Sequence, residues 1–67
     1  MPDRTGQHWL RPHNDGHTRY RVVMTEPDPD GHGDRHIMEV AGGRADGSQT
    51  PIREQVLTTH WIQVVSP

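Results

Sequence analysis

Six histidines among 67 residues are the first groups that could do chemistry. His13 and His17 flank one turn signal, and His32 and His36 close an acidic stretch that also holds Asp30 and Asp34. Neutral imidazole and carboxylate are competent ligands for Zn²⁺, Ni²⁺ or Cu²⁺. A four-residue spacing gathers ligands on a helix, and neither pair lies where the sequence reads as helical. In a hairpin, His13 and His17 can still face each other across the turn. Scattered exposed histidines are the plainer account, so no metal site is assigned and His13, His17, His32 and His36 stand as weak candidates.

Glu26-x-Asp28-x-Asp30-Gly31 carries the alternating acids and turn glycine that open a calcium-binding EF-hand loop. The twelfth position, which should supply a bidentate Glu, is Ile37, and two prolines stiffen the segment. A solvated acidic loop fits better. For covalent catalysis the hydroxyls are Ser48, Ser66 and several Thr, none in a recognisable setting. His60 beside Thr59 and near Glu54 sketches an acid–base pair without an orienting third group. Gly42-Gly43-x-x-x-Gly47 lacks the Lys and the following helix of a phosphate loop. With no Cys there is no thiol nucleophile, thiolate metal site or disulfide. The chain reads as non-enzymatic, with no cofactor.

Arg11, Arg19 and Arg21, with Tyr20 and His8 nearby, form the best candidate binding patch, on the outer face of a first hairpin. Such a face suits RNA, DNA or an acidic protein surface. The competing account is that these are solvent-facing positions whose Arg stems cover apolar surface. Trp9 and Trp61 read as core, because few other large residues are present to fill one.

Charge is uneven. Residues 1–24 hold four Arg and two Asp, a net of +2; residues 25–48 hold six acids and two Arg, a net of −4; Arg53 and Glu54 then balance, which gives −2 overall. That total argues against a protein that tracks a nucleic-acid backbone with clustered positive charge. All seven basic residues are Arg, which fits a GC-rich coding bias. No apolar run is long enough to read as a signal peptide or membrane span, so cytoplasm is the default location. At 28% hydrophobic residues and no Phe, one small domain spanning 1–67 is expected. A domain of this size buries only about 60% of its unfolded surface, which makes an oligomer attractive.

Residues 1–5 read as a loose lead-in. Gln7–Arg11 reads as a strand ended or confined to an edge by Pro12, and Asn14-Asp15-Gly16 as a turn that accepts positive φ. Thr18–Thr25 is the clearest strand, with Tyr20, Val22 and Met24 on one face and Arg19, Arg21 and Val23 on the other. Residues 26–34 hold two prolines and two glycines and read as an acidic, mobile hairpin tip. Strand character resumes over 35–41, where His36, Met38 and Val40 share a face. A loop over 42–48 follows. Residues 51–57 read as a strand running into a 3₁₀ turn at 57–60, in preference to a helix suggested by Ile52 and Val56. Trp61–Val65 then closes the fold.

Five short antiparallel strands with a single turn of helix before the last describe an all-β, five-stranded barrel. Gly6-x-x-Trp9, Arg19-Tyr20-Arg21-Val22-Val23 and Val56-Leu57-x-x-His60-Trp61-x-x-Val64 resemble the core positions of small SH3-like β-barrels, over residues 6–65. The chain also looks like short barrel proteins of actinobacteria and their phages. The peptide-binding aromatics of eukaryotic SH3 domains have no counterpart here, so proline-rich peptide recognition is not implied. The expected function is a small binding module acting through a protein partner or self-association. Nucleic-acid binding through the Arg face is the alternative.

Overall fold

The computed structural model describes residues 4–65. Its elements are β1 (His8–His13), β2 (Gly16–Pro27), β3 (Asp34–Val40), β4 (Gln49–Arg53), α1 (Glu54–His60) and β5 (Ile62–Val64). The strands form one antiparallel sheet in the order β4-β3-β2-β1-β5. The all-β expectation holds. The sheet is not closed into a barrel: β4 and β5 are its two edges, and α1 links them in the chain.

The first hairpin turns on Asn14 and Asp15, with His13 opposite Gly16. Gly16 alone takes a positive φ there (131°), so neither Asn14 nor Asp15 uses its tolerance for that region. Pro12 sits inside β1 rather than ending it. It lies beyond Leu10↔Ile62, the last β1–β5 pair, where β1 has only β2 as a neighbour and a missing N–H is tolerated. At the other end of β1 the ladder starts with a bulge. Gly6 (φ 88°) donates to the Val22 carbonyl at 2.9 Å, while Val22 N–H donates to the Gln7 carbonyl at 2.9 Å.

A second irregularity corrects the face assignment of β2. Val22 lies opposite Met38, but Met24 lies opposite Ile37, so one extra residue is accommodated between them. That flips the parity of everything beyond. Met24 turns outward, 48% exposed, and Thr25 comes opposite the buried His36.

One face of the sheet carries the core: Trp9, Tyr20, Val22, Met38 and Val40, joined by Leu57 from α1, by Trp61, and by the partly buried Ile52. Tyr20 and Trp61 meet edge to face, with ring centroids 4.8 Å apart. The expected strand over 51–57 and its 3₁₀ turn are replaced by β4 and a true α-helix. A seven-residue helix is unstable alone, and Arg53 offers it no side-chain cap. Tertiary contacts hold it instead. Leu57 is fully buried, Glu54 in the first turn binds Arg4, and the Trp61 N–H closes the last turn on the Leu57 carbonyl at 3.1 Å. Of the expected loose lead-in, residues 1–3 lie outside the described residues, and Arg4 is anchored.

Candidate functional site

Three polar arrangements and one sheet edge are the places where this fold could act. The first lies inside. His36 has no solvent exposure, and its register opposite Thr25 and Ile52 points it into the core face. Its Nδ1 lies 2.9 Å from Thr25 Oγ1, and its Nε2 lies 2.6 Å from Glu54 Oε1. Arg4 grips the same carboxylate with two bonds, Nε to Oε1 at 2.7 Å and Nη2 to Oε2 at 2.8 Å. Arg4 also stacks over Trp9, 5.3 Å from the ring centroid. Hydrogen bonding from Arg4, and then from His36, holds Glu54 down to about 2, well below the usual carboxylate range. Glu54 is therefore ionised and accepts from Nε2, which fixes that nitrogen as a proton carrier; the Thr25 hydroxyl completes Nδ1.

Hydroxyl, imidazole and carboxylate in line are the parts of an acid–base relay. Here the imidazole is sealed in the core, with no solvent exposure for a substrate to reach. The chain of bonds joins β2, β3 and α1 and fastens the N-terminal segment to them. Sequence reading placed Glu54 beside His60; the structure pairs it with His36. The expected exposure of His36 is overturned; the available signal was the face it shares with Met38 and Val40, since a histidine on a buried face needs a partner.

The second arrangement orders the acidic loop. Asp28 is buried; its Oδ1 accepts from the Asp30 N–H at 2.9 Å and its Oδ2 from Arg53 Nε at 2.8 Å. The Asp30 amide first, and the Arg53 guanidinium after it, hold the Asp28 carboxyl below its ordinary range against the opposing effect of burial. Backbone bonds Asp28 N–H to Gly33 O and Gly31 N–H to Asp28 O tie residues 28–33 into a turn shorter than the expected 26–34 loop, because Glu26 and Pro27 belong to β2 and Asp34 to β3. The acids suggested for calcium already face guanidiniums: Asp28 and Asp30 face Arg53, and Glu26 faces Arg35. Arg53→Ala should raise amide exchange across 28–33 roughly tenfold, the scale of one lost charge-assisted hydrogen bond. Unchanged exchange there would show that the backbone turn suffices without Arg53.

The third is the sheet's outer face. Arg19 and Arg21 lie on it, in register with Leu10 and His8. Arg19 Nε donates to His8 Nδ1 at 3.1 Å, and Arg21 is paired with Glu39 across β2 and β3. Arg11 does not join them. It shares parity with Trp9 on the core side and stands over the Trp61 ring at 5.9 Å. Tyr20 is in the core. The cause is the strict period of two along a strand: odd positions of β1 and even positions of this part of β2 point inward. A depression of about 470 Å³ beside this face is lined by His8, Arg21 and Glu39 and by the 40–47 loop.

The histidines are dispersed. His13 is opposite Gly16 and bonds Thr18 Oγ1 at 3.0 Å, while His17 is opposite Pro12 and so on the other face. His32 is exposed in the acidic loop and His36 is sealed in the core. Among the described residues no three His, Cys, Asp or Glu side chains gather as a metal site would need. No helix among them is long and apolar enough to cross a membrane.

The two sheet edges differ. β4 has Pro51 at its centre and Arg53 at its end. β5 continues as Ile62-Gln63-Val64-Val65 with neither proline nor charge, and Ile62 and Val65 are 48% and 76% exposed. Proline and charge are the usual guards of a free edge. β5 has none, and nothing in the sequence alone revealed that it would be an edge rather than the closing strand of a barrel. Compared with protein-family models, with curated proteins and with solved structures, the chain matches none.

Proposed function

We propose that this chain is a small non-enzymatic binding module of SH3-like type that takes an extended protein segment, from a partner or from a second copy, onto its β5 edge. The strand order β5-β1-β2-β3-β4, with a helical turn between the last two strands, supports the SH3-like part of this reading. The observation that carries the binding part is the unguarded edge, whose strand-forming residues are flanked on the outer face by the half-buried Leu10. An added strand gains main-chain hydrogen bonds along such an edge, and alternate side chains supply the choice of partner.

Nucleic-acid binding is the less supported alternative. Its stacking mode needs exposed aromatic rings, whereas Trp9, Tyr20 and Trp61 are all buried and Arg21 is neutralised by Glu39. Selection from a displayed library of random peptides tests the proposal. Extended, β-prone binders should be recovered, and Val65→Pro should abolish their binding while leaving the fold intact. Failure to recover any binder, in a protein that also stays monomeric, would sink it.

A further inference from the structure

We infer that the β5 edge is built to pair with the β5 edge of a second copy, antiparallel and centred on Gln63. This rests on the reading of β5 as a strand-accepting edge and commits it to one occupant.

The register follows from the backbone. Val22 N–H donates to the Gln7 carbonyl, so Gln7, and by alternation Trp9, turn their peptide groups toward β2. His8 and Leu10 therefore turn theirs toward β5, where they lie opposite Val64 and Ile62. Ile62 and Val64 spend their N–H and C=O groups on β1. Gln63 and Val65 direct theirs outward, to the free side of the sheet.

A two-fold axis at Gln63 makes this edge complementary to itself. Each Gln63 exchanges N–H and C=O with the second copy's Gln63, and each Val65 N–H meets the second copy's Trp61 carbonyl. The Trp61 N–H is already engaged by Leu57 and needs nothing from the partner. On the outer face Ile62 comes opposite the second copy's Val64, and Val64 opposite its Ile62. These are β-branched cross-strand pairs, which favour sheet pairing. A homodimer sets every edge charge against its own copy, and β5 carries no charge to repel. The β4 edge carries Arg53, which would meet its own copy's charge, and Pro51, which has no N–H to give. The result is a continuous ten-stranded sheet in which the Leu10–Ile62 pairs of the two copies flank the seam on the outer face.

Two measurements test this together. Light scattering across a concentration series should show a monomer–dimer equilibrium with a Kd of about 1 mM or tighter. Val65→Pro and Ile62→Lys should each shift it to monomer, with near-unchanged circular dichroism. The chain has no cysteine, so Gln63→Cys introduces a single thiol. Directly paired residues stand about 5.5 Å apart at Cα, within disulfide reach. Mild oxidation should give a covalent dimer at least tenfold faster than Gln49→Cys, placed on the other edge. A wild-type protein that stays monomeric while its edge still binds selected peptides overturns the second copy as occupant and leaves the proposed function standing. A dimer that survives both edge substitutions, with Gln63→Cys no faster than Gln49→Cys, overturns β5–β5 pairing, while the proposed function stands or falls on the peptide selection.

Discussion

Glu54→Gln is expected to destabilise the protein by about 3 kcal/mol, the range for breaking a part-buried ion pair while its partners stay in place. In a domain of this size that lowers the melting temperature by about 15 °C. One carboxylate serves two partners: Arg4 with a bidentate grip, and His36 from inside the core. The amide keeps the shape but not the charge. Its oxygen replaces one charge-assisted acceptor, and its NH₂ is turned on donors. His36 has no solvent exposure.

The same group sets a pH dependence. The folded-state pKa of Glu54 is depressed from 4.5 to about 2. Its contribution is therefore complete above about pH 4.5 and is lost as pH falls from there toward 2, because the unfolded state takes up the proton first. The shift corresponds to at most about 3 kcal/mol, and to about 2 once solvent screening of the partly exposed carboxylate is allowed for. Urea midpoints measured from pH 5 down to pH 2 should fall steeply for the wild type and less for Glu54→Gln. Parallel slopes would place the acid sensitivity elsewhere.

Trp61→Ala is expected to unfold the chain. The indole is 8% exposed, packs edge to face on Tyr20 and lies under Arg11. Truncating a buried Trp costs about 3–5 kcal/mol, and a chain of this length has total stability of the same order. Loss of near-UV circular dichroism and of amide dispersion at 25 °C is the expected result. Ile62→Ala, one residue along and half exposed, should change the stability of the dilute protein by less than about 0.5 kcal/mol. A folded Trp61→Ala protein would show that α1 and the sheet hold together without the indole.

Much of this was legible in the chain. The strand at β2, the Asn14–Asp15 turn, the proline-guarded loop before β3 and the shared face of His36, Met38 and Val40 rest on local chemistry that a single sequence displays, although which way that face points does not. What was hidden depends on contacts distant in sequence. The bulge between Val22 and Met24 has no residue signature, yet it decides that Met24 points out and Thr25 meets His36. The helix at 54–60 looked too short to stand, because Arg4, fifty residues away, holds its first turn. The candidate Arg patch divided for the simplest of reasons: Arg11 falls on the parity of Trp9, and Arg19 and Arg21 fall on that of His8 and Leu10.

The adjacency of β1 and β5 also governs the order in which the molecule can assemble. β1, β2, β3 and β4 are neighbours in sequence and zip as successive hairpins. The β1–β5 ladder joins His8 to Val64, nearly the full length of the chain. Closing that loop costs entropy before any contact repays it, which puts β5 docking late and folding toward the millisecond-to-second end for small domains. On a ribosome, β1 must wait with one flank bare until β5 has emerged. During that wait the flank of β1 over His8–Leu10, rather than β5, is the exposed edge.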